Sequence, residues 1–109
     1  MKKDKKIFIE DIISSMNKIE EYIEGISYQD FVKSDIVIDA VVRNLEIIGE
    51  AAKNIPESFR NEKNDIPWKN MIGLRNIVIH EYFGVDLSII WKIITVNIPK
   101  TKKDILKLI

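Results

Sequence analysis

The sequence has no cysteine, one histidine, three prolines and four glycines. Without thiols there is no disulfide framework and no thiolate metal site, which fits a reducing compartment. One histidine rules out a His-rich metal site within a single chain. The seventeen basic and seventeen acidic residues cancel, so no global field draws the chain to nucleic acid, and any RNA contact has to come from a local patch. No stretch reaches the ~18 consecutive apolar residues of a membrane span. The start, M-K-K-D-K-K-I-F-I-E-D, lacks the apolar core and small-residue cleavage site of a signal peptide. These absences point to a soluble cytoplasmic protein with no membrane partner.

What is present suits one folded domain over residues 1–109: 46% hydrophobic and 31% charged residues, with isoleucine dominating the apolar set. From about Asp4 to Glu24, Ile9, Ile12, Ile13, Met16, Ile19, Tyr22 and Ile23 recur at three- and four-residue spacing, which predicts an amphipathic helix stopped near Gly25. Ser27 followed by Asp30 reads as an N-cap with its acidic partner, opening a short turn. A longer helix, from about Ser34 to Asn54, is apolar over much of its circumference and fits the centre of a bundle. Its small residues Ala40, Gly49, Ala51 and Ala52 would admit a second helix at close range. Pro56 breaks the pattern, and P-E-S-F-R-N-E-K-N-D reads as a polar connection with about one helical turn.

Pro67 suits a first helical position, and a third helix runs from it to about Tyr82, ended by Gly84. Asp86 is a fitting N-cap for the last helix, which runs until Pro99, where a proline kinks or splits the pattern before K-T-K-K-D-I-L-K-L-I resumes it. An all-α, up-and-down bundle of four to five helices follows. Trp68 and Trp91 are its expected core anchors. Lys100, Lys102, Lys103 and Lys107 are expected to form a solvated face rather than an RNA track.

The third helix holds the chemistry. R-N-I-V-I-H-E-Y, residues 75 to 82, sets an arginine and a tyrosine beside the only histidine. At ~100° per residue, Arg75 falls inside the apolar arc that begins at Trp68, so its guanidinium needs an acidic partner, a subunit interface or an anionic ligand. Glu46 and Glu50 are the candidate acidic partners. His80 falls with Lys69, Gly73 and Asn76 on the opposite side, about 140° from Arg75 on an ideal helix. Asn76, four residues before His80, is placed to orient the imidazole.

These residue types suit phosphodiester cleavage in RNA. A base removes the 2′-hydroxyl proton, an acid protonates the leaving oxygen, and a cation stabilises the charge on the pentacoordinate phosphate. One histidine does not comfortably serve as base and acid at once. A two-fold dimer with the motif on its axis would supply two histidines and two arginines to one cleft, with no metal or cofactor needed.

R-N-I-V-I-H-E-Y-F-G-V-D resembles the Arg-x4-His-x-Tyr motif of HepT-like toxins of the HEPN superfamily. The likeness extends to L-E-I-I-G-E-A-A-K, to I-P-W-K-N-M-I-G-L-R and to V-D-L-S-I-I-W with the later I-P-K, covering about Asp35 to Leu108. The resemblance implies a HEPN-like bundle that dimerises with its motifs face to face. It implies a metal-independent ribonuclease with Arg75 and His80 catalytic and Asn76 supporting. It also implies a type II toxin–antitoxin pair, in which a cognate MNT-type nucleotidyltransferase antitoxin transfers AMP to Tyr82 and silences the enzyme. The alternative is a non-catalytic helical partner that presents a substrate to such a nucleotidyltransferase. Without catalysis, Arg75 would be an ion-pair residue across the bundle and Tyr82 a core or interface aromatic.

Overall fold

A computed structural model describes residues 4–80 and 86–109, with side chains up to Asn76 and again from Asp86. Its helices are α1 (Lys5–Ile23), α2 (Tyr28–Lys33), α3 (Asp35–Asn54), α4 (Glu57–Glu62), α5 (Trp68–His80), α6 (Leu87–Lys92) and α7 (Ile98–Leu106). A π-helical turn, Ile93–Asn97, joins α6 to α7 without a break. Four long rods result, namely α1, α3, α5 and the continuous α6–π–α7, while α2 and α4 lie in the connections. Among the described residues there is no strand, which agrees with the all-α expectation.

Local chemistry sets most of the boundaries. The Asp4 carboxylate accepts a hydrogen bond from the Lys6 amide at 3.0 Å and opens α1. Gly25, at φ +76°, takes the left-handed conformation that reverses the chain after it. Ser27 and Asp30 form the expected reciprocal cap: the Asp30 amide donates to Ser27 Oγ at 3.1 Å, and the Ser27 amide donates to Asp30 Oδ2 at 3.0 Å. Those bonds, the one from the Ser27 amide first, hold the Asp30 carboxyl below its ordinary pKa. Ser34 caps α3 through the Val37 amide, and Asp86 caps α6 by accepting from the amide and hydroxyl of Ser88.

α3 is the central element, packed by α1 and by α5. Ile38, Val41, Leu45, Ile48 and Ala52 are buried along it and meet Ile9, Ile12, Met16 and Ile19 of α1 in one core. Each such isoleucine or leucine contributes about 1.5–3 kcal/mol relative to exposure. The apolar circumference of α3 is not all core, since Ile36 is 83% exposed. Tyr22, expected on the apolar face of α1, lies near the helix end and is 38% exposed.

Trp68 anchors the start of α5. It is buried, and its indole N–H donates to the Lys63 carbonyl at 3.0 Å. Pro67 sits one residue before the helix, and its carbonyl accepts from the Met71 amide. Trp91 is half-buried, tilted against Phe31 and Tyr28 with ring centroids 5.2 and 6.0 Å away.

The last helix does not stop at Pro99. Proline lacks an N–H, and its ring would collide with the carbonyl four residues back, that of Thr95. The helix widens instead, with the Ile98 amide reaching five residues back to the Ile93 carbonyl. Beyond this turn α7 runs to Leu106, where Lys102 pairs with Glu20 of α1 at 2.7 Å. Lys100 and Lys103 remain exposed.

Candidate functional site

The site is built on α5 from Arg75 onward, where α3 approaches closely at Gly49. A side chain added at Gly49 of α3 would have its Cβ 3.0 Å from the Arg75 backbone nitrogen, 3.1 Å from Arg75 Cβ and 3.2 Å from the Met71 carbonyl oxygen. Those are backbone and near-backbone atoms with little room to retreat. Only glycine lets α5 lie this near to α3, so Gly49 fixes where Arg75 begins.

The next residue of α3 fixes where Arg75 points. Glu50 Oε1 forms an ion pair with Arg75 Nε, so of the two candidate partners Glu50 is the one engaged. The side chains are 39% and 42% exposed. At that exposure solvent screens the pair, and its contribution to stability falls in the range of about 0–1 kcal/mol. Its structural consequence is directional. With Nε committed to Glu50, the two terminal amino groups of Arg75 have no partner among the described residues, and they form the planar fork that matches two phosphate oxygens.

The apolar arc in which the sequence places Arg75 is therefore real only for its neighbours. Met71 and Leu74 are buried, whereas the guanidinium emerges at the edge of the α3 contact. Asn76 follows as an exposed residue. His80 is the final residue of α5, four positions beyond Asn76 and five beyond Arg75, which sets its backbone about 7.5 Å along the axis from that of Arg75. Tyr82 and the expected stop at Gly84 lie outside the described residues. The structure thus joins Arg75 to Glu50 and places Asn76 and the His80 backbone on the same rod.

Three features escaped the sequence reading. The specific Gly49–Arg75 contact was visible only as a general tolerance for close packing. Asn44, on α3 one turn before Ile48, is 4% exposed; its amide N–H donates to the Ala40 carbonyl at 2.9 Å, while its buried Oδ1 has no hydrogen-bond partner among the described residues. A polar residue inside an apolar run was its only signal. The third is a groove of about 430 Å³ beside the first half of α5, bounded by α1, the π-helical turn and α7. No linear pattern brings those elements together. Among the described residues no group of three or more acidic or histidine side chains could hold a metal ion, and no helix is long and apolar enough to cross a membrane.

The described residues thus define an all-helical bundle in which Glu50 pairs with Arg75, five residues before His80 on the same helix. Comparison with known proteins adds the family. The family model described as ribonuclease HepT-like matches residues 12–108. Several relatives carry the name "Putative RNase", among them the following two. One, from Methanocaldococcus jannaschii, is 45% identical over 104 residues, covering 95% of each chain. The other, from Caldanaerobacter subterraneus, is 45% identical over 98 residues, covering 90% of this chain and 88% of the relative. The "Probable ribonuclease HepT" of Thermococcus cleftensis is 43% identical over 108 residues, covering 99% of this chain and 98% of the relative. No solved structure matches. The chain belongs to the HepT-like ribonuclease family.

Proposed function

We propose that this protein is an endoribonuclease that cleaves RNA at a site made by Arg75 and His80, and that its active unit is a two-fold dimer. The observation that supports the reading best is the Arg75–Glu50 pair, which spends Nε on the fold and leaves the terminal fork for an anion. In this scheme the His80 imidazole of one protomer takes the 2′-hydroxyl proton. The 2′-oxygen attacks phosphorus, and the 5′-oxygen departs with a proton from the second protomer's imidazolium, leaving a 2′,3′-cyclic phosphate. Arg75 binds the two non-bridging oxygens as their charge grows. Asn76, one helical turn before His80, orients the imidazole. Side chains alone carry the scheme, without a metal or cofactor.

The same reading covers regulation. The cognate partner is an MNT-type nucleotidyltransferase antitoxin that transfers AMP from ATP to the Tyr82 hydroxyl, releasing pyrophosphate. The added phosphate puts negative charge and bulk two residues from His80, where the RNA backbone must lie. The support for this step is the family membership together with the Tyr82 position in the motif.

The test is expression of the full chain and of His80→Ala without a partner, with growth curves, mapping of RNA ends and circular dichroism. Growth arrest and new RNA ends with wild type, lost in a folded His80→Ala, are expected. Two harmless folded chains and intact RNA would instead favour a non-catalytic partner of a nucleotidyltransferase.

A further inference from the structure

The groove beside the first half of α5 has no role in the chemistry above, yet its walls have the composition of a small-molecule site. Its floor is apolar, formed by the buried side chains of Met16, Met71, Leu74 and Ile98. Its rim is polar, lined by Asn70 of α5, Asn97 of the π-helical turn and Thr101 of α7. Among the described residues none of these three side chains is engaged in a hydrogen bond. Apolar walls with a few convergent donors and acceptors recognise a flat, heteroaromatic ligand with hydrogen-bonding edges, and the volume lies within the range of such sites.

Two further observations choose the ligand. Lys69 and Gly73 line the groove, and with Asn76 and His80 they follow the spacing i, i+4, i+7, i+11, so the groove opens on the register of α5 that ends at the histidine. Gly73 lies about 10 Å from His80 along the axis, within reach of one strand. A Cβ built at Gly73 meets nothing within 4 Å. Its small size returns no packing to the fold, unlike that of Gly49; it leaves the groove open.

We infer that this groove is a nucleobase subsite, taking one base of the RNA strand near the scissile phosphate, with the base between the methionine and isoleucine side chains and its edge on Asn70, Asn97 and Thr101. Lys69, exposed at the mouth, offers its charge to a backbone phosphate. The inference deepens the ribonuclease reading and rests on it. It makes cleavage sequence-selective at one flanking position.

Gly73→Leu tests it, because the substitution fills the groove without striking the fold and replaces a poor helix former by a good one. Amide-resolved NMR of the full chain is recorded with millimolar AMP, GMP, CMP and UMP, alongside kinetics on RNAs that vary in the flanking base. Support is a saturable shift at Asn70, Gly73 and Asn97 with at least one nucleotide, absent in Gly73→Leu, and a KM raised roughly tenfold or more with kcat within about twofold and base preference lost. If wild type cleaves RNA and Gly73→Leu has the same KM and base preference, the subsite is refuted while the nuclease stands. If wild type fails to cleave but the nucleotides still shift the groove residues, the nuclease reading falls and the groove remains a nucleotide site. No shift with any nucleotide overturns the inference, and a Gly73→Leu chain altered only in self-association or in binding a nucleotidyltransferase overturns it in favour of a protein-docking surface.

Discussion

Gly49 and Gly73 both sit inside helices, where each costs about 1 kcal/mol relative to alanine, and they border opposite sides of α5. On the α3 side the space a side chain would need is taken by the Arg75 and Met71 backbone; on the groove side there is nothing within 4 Å. One glycine is a packing device that sets the position of a charged residue. The other gives nothing to packing and leaves a concave surface. Residue type alone is the same signal in both cases, so the neighbours decide its meaning.

The largest effect should come from the α3 side. Arg75→Ala removes the proposed phosphate ligand and is expected to lower RNA cleavage by roughly 100-fold or more. Because the side chain is two-fifths exposed, the loss of stability should stay within about 1 kcal/mol; kinetics with thermal melting on one preparation measures both. A melting loss of several kcal/mol would mean that Arg75 is structural first.

Gly49→Val comes next. Overpacking against backbone atoms should destabilise the domain by about 1–3 kcal/mol, read as a lower urea midpoint with unchanged slope, and should weaken cleavage by displacing α5. Glu50→Gln tests the aiming of Arg75 apart from its charge. Cleavage should fall by about tenfold, with Glu50→Asp recovering part of it, while stability changes by less than about 1 kcal/mol. Gly73→Ala sits at the other end of the scale and should stabilise by about 0.5–1 kcal/mol, as a higher midpoint in the same denaturation.

The smallest effect concerns the caps. Asp30 and Asp86 both have pKa values lowered in the fold, Asp30 chiefly by the Ser27 amide and Asp86 chiefly by the Ser88 hydroxyl. A depressed carboxylate contributes stability that is present above its unfolded value and disappears as pH falls through its lower folded value. Stability should therefore decline on acidification below the ordinary carboxylate range. The decline should be shallower in Asp30→Asn, as followed by helical ellipticity against pH.

Much of the architecture was written locally. Ser27 with Asp30, Ser34 and Asp86 are short polar residues ahead of apolar periodicity, and each caps the helix that the pattern announces. Pro99 marked an interruption of the α-helix, as its rule predicts, and the form the interruption takes, a π-helical turn that supplies room for the ring, is what the structure adds. The groove was illegible because Met16, Asn70 and Asn97 belong to three elements that meet only in the folded chain.

By itself the sequence determined the long helical segments, several of their caps, and that Arg75 and His80 share one rod five residues apart, because hydrogen bonding, capping and periodicity act within a few residues. It also left Arg75 needing a partner without choosing between Glu46 and Glu50. Only the tertiary structure made that choice, since it depends on the register with which α5 slides along α3, and at Gly49 the close approach of the Arg75 and Met71 backbone constrains that register.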